Sequence, residues 1–298
     1  MLLLVVAACR DPETTEPTTS PSDSTTPTTP PAESTPAPGH SGTAGTPSPP
    51  RPSPGCARGA VLPDGDHESD VDGATREWTL QNAPGADGVT PAPLVLDFHG
   101  TGSTRRQQKL LSGLAPVARD EGWAIVWPES QGSGLTKAFA LPCRSADLDF
   151  ALQLLEELGR DACIDEARVA VTGLSNGAYF SHLLAAQHPE RFAAAAPIAG
   201  GLGFAEVLCR PNVPVSMAIV HGTADPIVPF AEGEAARDRW FEVNGCVGLE
   251  TDAEGCVAGT GCDAPVRFCA AEGVGHVDIY LRYPTTERIT AHLRAAFD

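Results

Sequence analysis

Aromatic side chains make up only 6% of this 298-residue chain, and none precedes Trp78. The stretch before it is dominated by Thr, Pro, Ser, Glu and Gly over residues 10–55. Such a segment cannot bury enough apolar surface to offset the entropy of ordering. That excludes a folded domain there and leaves one domain of roughly 240 residues, enough for a large core. Basic side chains are also scarce. Twenty Lys and Arg face 38 Asp and Glu, for a formal net charge of -18. A surface of that sign repels phosphate backbones and excludes nucleic acid as a partner. Paired CxxC spacings are absent too, so the scattered cysteines do not read as a zinc site, and neither metal nor cofactor is expected.

There are nine cysteines, and Cys9 stands apart from the rest, after the apolar Met1–Ala8. Val6-Ala7-Ala8-Cys9 resembles a bacterial lipoprotein cleavage box, in which Cys9 becomes the lipidated first residue. The apolar segment is too short to cross a bilayer, which takes about 20 residues. An ordinary cleaved secretory signal is the alternative. The other eight, Cys56, Cys143, Cys163, Cys209, Cys246, Cys256, Cys262 and Cys269, suit up to four disulfides in an oxidising compartment. The expected plan is a leader over residues 1–9, a disordered Pro-stiffened linker over 10–55 and a folded domain over 56–298. Such a chain is secreted or held at the cell surface, touches a membrane only through Cys9 and acts as a monomer.

Short apolar runs alternate with longer amphipathic ones after Cys56, and no repeat of fixed period is present. Strands are expected over Pro93–His99, Trp123–Trp127, Arg168–Thr172, Phe192–Ala199, Val215–Val220 and Val266–Ala270. Helices are expected over Arg105–Asp120, Ser145–Leu158, Asn176–Gln187, Glu232–Phe241 and Thr285–Ala296. In the second, Ser145 is the expected N-cap, Leu148, Leu152 and Leu155 the apolar face, and Gly159 the stop. This alternation predicts an α/β fold, a mostly parallel sheet covered by helices on both faces.

Gly173-Leu174-Ser175-Asn176-Gly177 matches G-x-S-x-G between an apolar run and a helix. A tight strand-to-helix turn there exposes the serine, and the glycines let neighbouring backbone come close. A serine nucleophile needs an imidazole oriented by a carboxylate. Of the eight histidines, His40, His67 and His99 precede the serine, His182 and His188 lie on or past the helix it opens, and His292 sits in the last helix. His221 and His276 remain. The chain order Ser…Asp…His of α/β-hydrolases assigns the acid to Asp225, in the Pro-stiffened loop after Val215–Val220, and the base to His276. The expected oxyanion donors are the backbone N–H groups of Asn176 and of Thr101, in the loop His99-Gly100-Thr101-Gly102. His99 is expected to anchor that loop.

The runs LDFHGTGS, SGLAPVARDEGWAIVWPES, RVAVTGLSNGAYFSHLLAAQHPERFAAAAPIAG, VHGTADPIVPF and EGVGH resemble polyhydroxybutyrate depolymerase and feruloyl esterase relatives, in order from Cys56 to Asp298. The resemblance implies an α/β-hydrolase fold, the triad Ser175, Asp225 and His276, and a polyester, acetylated-sugar or hydroxycinnamoyl-sugar substrate. It also implies a Cys246–Cys262 bridge, which leaves Cys256–Cys269 as a local pairing. Many relatives carry Trp-Pro after the catalytic histidine, where this chain has Val277-Asp278-Ile279-Tyr280. The expected activity is a serine carboxylic-ester hydrolase. A peptidase of the same fold and an inactive surface-binding lipoprotein are the rival readings.

Overall fold

The computed structural model describes residues 49–203 and 208–298. Cys9, the leader and most of the linker lie outside these residues. One sheet of ten strands runs in the order β1-β2-β4-β3-β5-β6-β7-β10-β9-β8. Its centre is parallel: β4 (Ala124–Pro128), β3 (Ala92–Phe98), β5 (Ile164–Leu174), β6 (Ala194–Ile198), β7 (Ser216–Gly222) and β10 (Val266–Ala271). Antiparallel hairpins close both sides: β1 (Gly65–Val71) with β2 (Ala74–Gln81), and β8 (Gly248–Thr251) with β9 (Val257–Thr260). β2 joins β4 and β9 joins β10, each antiparallel.

The central strands are buried on both faces, as their unbroken apolar runs require. Leu94, Leu96 and Phe98 pack on one side against α3 (Ala146–Asp161), α4 (Asn176–Gln187) and α5 (Phe230–Val243). Val95 and Ile125 pack on the other against α2 (Leu114–Glu121) and α6 (Thr285–Phe297). Alternate residues of β3 thus feed two cores, and the mostly parallel sheet covered on both faces that the alternation predicts is present.

Several elements differ in detail from their expected spans. The helix expected over Arg105–Asp120 breaks into α1 (Arg105–Leu111) and α2, because Gly113 takes φ 65° between them. α3 begins as expected, with the Ser145 side chain accepting from the Leu148 N–H. It runs through Gly159 to Asp161, and its buried face is Leu148, Ala151, Leu154, Leu155 and Leu158, with Leu152 half-buried. The Arg160 carbonyl and that of Ala162 crowd Gly55, and the Gly55 N–H donates to the Gly159 carbonyl, so this end of the helix is docked rather than free. The linker boundary moves with it. Ser53 is buried and bonded to Ala162 and Ile164, so packed structure starts before Cys56.

The hairpin β1/β2 was not expected. It turns at Asp72-Gly73, both at positive φ (51° and 79°), a pairing suited to a two-residue hairpin loop. Four disulfides join Cys56 to Cys163, Cys143 to Cys209, Cys246 to Cys262 and Cys256 to Cys269. The third closes the open end of the β8/β9 hairpin, and the fourth ties its turn to β10. No helix among the described residues is long and apolar enough to cross a membrane.

Candidate active site

Ser175 stands between β5 and α4 with φ 57° and ψ -117°, a strained conformation for a residue with a side chain. Its neighbours explain how the strain is held. A Cβ on Gly173 would lie 2.6 Å from the Phe98 carbonyl oxygen, and one on Gly177 would lie 2.2 Å from the same atom. The Phe98 carbonyl at the end of β3 therefore presses against both positions, and only glycine leaves room at either. The Ser175 N–H donates to the Ile198 carbonyl at 2.9 Å, fixing the turn to β6.

The first loop meets the serine directly. A Cβ on Gly100 would sit 3.3 Å from Ser175 Cβ and 3.9 Å from Oγ. In that loop the N–H groups of Gly102 and Ser103 donate to the carbonyls of Lys137 and Gly100, whereas no partner of the Thr101 N–H is found among the described residues. His99 is fully buried beneath it. Its Nδ1 is 2.8 Å from the Gly100 carbonyl, and its Nε2 is 3.1 Å from the Ser130 N–H and 2.9 Å from Glu129 Oε1. Burial pushes the Glu129 carboxyl up, but its contacts with His99 and Lys137 outweigh it, leaving a pKa below the ordinary value.

Asn176 opens α4, whose N-terminal amides point toward the space beside Ser175. Its side chain has a use that the sequence did not suggest. Oδ1 accepts from the Phe139 N–H at 2.7 Å, and Nδ2 donates to the Phe139 carbonyl at 3.0 Å. Phe139 packs in turn against Phe98 and Phe180. No motif marks Phe139; only an alignment of long-range contacts could have found it.

Asp225 and His276 come together from the loops after β7 and β10. His276 Nδ1 donates to Asp225 Oδ2 at 2.6 Å. Asp225 Oδ1 accepts from the N–H groups of Ile227 at 2.8 Å and Val228 at 3.0 Å, so the carboxylate is fully engaged and its side chain has no exposed surface. The two loops are zipped together: the Thr223 N–H donates to Ala271, the Ala224 N–H to Val274, and the Gly273 N–H to Thr223 Oγ1. A Cβ on Gly222 would lie 2.2 Å from the Val274 carbonyl, so this zipper too depends on a glycine.

Ser175, Asp225 and His276 thus stand at the carboxyl ends of β5, β7 and β10, on one edge of the sheet. No direct hydrogen bond joins Ser175 to His276 among the described residues. Catalytic hydrogen bonds commonly close only when substrate is bound. A buried Asp–His pair at the same end of the sheet as a strained serine that opens a helix is an arrangement that can generate a nucleophile and stabilise an oxyanion. Among the described residues no group of three or more His, Cys, Asp or Glu is arranged to hold a metal.

Known proteins share parts of this sequence and its fold. The prolyl oligopeptidase family model matches residues 111–209, about a third of the chain and including Ser175. Feruloyl esterase C of Emericella nidulans is 29% identical over 236 residues, covering 75% of this chain and 83% of its own. The candidate esterase NocK of Nocardia uniformis subsp. tsuyamanensis is 34% identical over 165 residues, which are 54% of this chain and 48% of NocK, so the chain spans about half of that relative. Among solved structures, an acetyl xylan esterase from Aspergillus awamori superposes with a TM-score of 0.58 at 17% identity, over 71% of this chain and 93% of its own. The chain therefore has the α/β-hydrolase fold, and in sequence it is similar to feruloyl esterases.

Proposed function

We propose that the protein is a serine carboxylic-ester hydrolase working through an acyl-enzyme, with Ser175 as nucleophile, His276 as base and Asp225 as acid. The observation that carries this reading is the 2.6 Å contact between Asp225 and His276 on the same sheet edge as the strained Ser175. His276 Nε2 takes the Ser175 proton as Oγ attacks the ester carbonyl, and Asp225 stabilises the imidazolium formed at Nδ1. The N–H groups of Asn176 and Thr101 hold the tetrahedral oxyanion. Collapse expels the alcohol, which leaves with the proton from His276. Water, activated by the same imidazole, then releases the carboxylic acid and restores Ser175. No step calls for a cofactor.

The acyl group is proposed from the relatives as a feruloyl or acetyl ester of a carbohydrate. Four disulfides support an exported enzyme, which we place as a catalytic domain that begins by Ser53 behind the Thr/Pro/Ser-rich stalk, anchored through a lipidated Cys9. The peptidase alternative has one point in its favour, the prolyl oligopeptidase match over residues 111–209. That segment contains Ser175 but stops before Asp225 and His276. The feruloyl esterase C alignment extends over 236 residues, and on that ground we favour esters.

The test is hydrolysis of p-nitrophenyl and feruloyl esters by wild type beside Ser175→Ala. The expected loss is about four to six orders of magnitude in kcat with folding intact. Substantial turnover by Ser175→Ala, or none by oxidised wild type, rejects the reading.

A further inference from the structure

The proposed triad leaves a second buried imidazole unused. His221 lies near the carboxyl end of β7, and its side chain, like that of Asp225, has no exposed surface. Its Nε2 is 3.1 Å from the Val228 carbonyl oxygen. A carbonyl can only accept, so Nε2 carries the proton. That N–H also faces Asp225 Oδ2 at 3.5 Å, the same oxygen that receives the His276 proton. Val228 is held twice, since its N–H donates to Asp225 Oδ1 while its carbonyl takes the His221 proton. One ring therefore grips the turn 225–228 at both ends.

The surroundings fix the form of that ring. A Cβ on Gly233 of α5 would lie 2.5 Å from His221 Nδ1, so α5 needs a glycine to make room for the ring. Nδ1 is among the buried polar atoms with no hydrogen bond, as a neutral ring protonated on Nε2 would leave it. Burial pulls its pKa below the ordinary histidine value and His276 adds to the fall, against the smaller upward pull of the Val228 backbone, of Asp225 and of the Gly200 backbone. The charged and titratable groups around it are Asp225 and His276 on the loops and His182 on α4, while Tyr179 on α4 and Glu232 on α5 face one another and Asp225. Phe230 closes the remaining side with an edge-on ring.

We propose that His221 is a positioning residue for acyl transfer, which through one N–H orients the Asp225 carboxylate toward His276 and tempers its charge. The proposal rests on the ester-hydrolase reading above. Two consequences follow from removing that N–H. The 225–228 turn loses its grip, so His276 is less well aimed and kcat falls. Asp225 also keeps more of its charge for His276, whose imidazolium becomes harder to deprotonate, so the acid limb of the kcat/KM profile moves to higher pH.

The experiment uses the full oxidised chain. Wild type and Ser175→Ala establish whether the ester-hydrolase reading holds; an inactive wild type or an active Ser175→Ala removes that reading and this proposal with it. Given a serine-dependent wild type, His221→Phe, His221→Asn and His221→Gln are compared per active site, counted with a p-nitrophenyl phosphonate. The Gln amide can reach the Nε2 position, whereas Asn stops short of it and Phe brings no donor. His221→Phe and His221→Asn should lose roughly tenfold to a hundredfold in kcat with KM little changed. Their acid limb should rise by about half a pH unit or more. His221→Gln should restore most of both. Should one variant fail to fold, the other donor-free variant carries the comparison. Wild-type kcat and acid limb per active site in a donor-free variant would make His221 a packing residue only. A folded His221→Gln as impaired as the others would equally overturn the proposal.

Discussion

Gly177→Ala offers a sharp test of how the nucleophile turn is built. The added Cβ would lie 2.2 Å from the Phe98 carbonyl oxygen and 2.9 Å from that of His99. Neither neighbour is a flexible side-chain tip; both are backbone at the end of β3. Reaching ordinary contact requires the backbones to part by about 1 Å. Overpacking of this kind costs about 1–3 kcal/mol in stability. The same displacement moves the His99–Thr101 loop off Ser175, and a misplacement of about 1 Å lowers turnover roughly a hundredfold. The control is Gly59→Ala, at φ 64° with nothing within 4 Å of its added Cβ. It carries only backbone strain of about 1–2 kcal/mol and lies away from the site. Urea unfolding and p-nitrophenyl acetate kinetics on both variants read the two effects separately. Gly59→Ala should keep wild-type kcat at a measurable loss of stability, while Gly177→Ala loses both. A Gly177→Ala enzyme with kcat within about threefold of wild type would refute the claim that backbone contact sets the loop.

The disulfides and one buried acid give two further expectations. Cys56–Cys163 closes a separation of 107 residues and Cys256–Cys269 one of 13. In the chain-entropy account, replacing the first pair by alanine costs about 4–5 kcal/mol and the second about 3 kcal/mol, so urea midpoints in the opposite order would contradict it. Asp97 is fully buried, and desolvation pushes its pKa up to about 7 despite bonds from Ser112, Gln108 and Trp127. The fold then keeps a proton that the unfolded chain releases near its ordinary value of 3.8. Its contribution is whole below about pH 4 and is lost as the pH rises toward 7, at roughly 1.4 kcal/mol per unit. The stability of wild type minus that of Asp97→Asn should fall across this window in pH-dependent urea unfolding; a flat difference would show that Asp97 does not titrate there.

The sequence was most legible where chemistry forces a residue type. G-x-S-x-G located the turn because the packing there admits glycine alone, and chain order then ranked Asp225 and His276. Helix α4 ran over its expected Asn176–Gln187 because a turn and a half-polar end bound it. Other features depend on neighbours distant in the chain. Gly159 is a good helix stop in isolation, yet docking of Gly55 and Ser53 carries α3 past it. The β1/β2 hairpin escaped notice because charged residues fill it, and its pairing rather than its hydrophobicity makes it a strand. His221 survived the elimination of histidines but could not be given a role, since the distances to Val228 and Asp225 exist only after folding.

That hairpin also bears on how copies of the protein meet. β1 ends the sheet, and among the described residues no strand pairs with its outer side. An open edge is a template on which another chain can add itself. Here Asp66, Glu68 and Asp70 project from alternate, exposed positions along it. Two molecules approaching edge to edge bring carboxylate rows against each other, so the strand repels its own kind while still serving its own fold. The repulsion lasts as long as the acids stay ionised. Bonds from Thr79 and Arg106 keep the Asp66 pKa down at about 2, so this carboxylate stays ionised far into acid. Colloidal stability of the folded protein is therefore tied to acidity through a strand on the opposite flank of the sheet from the β8/β9 hairpin.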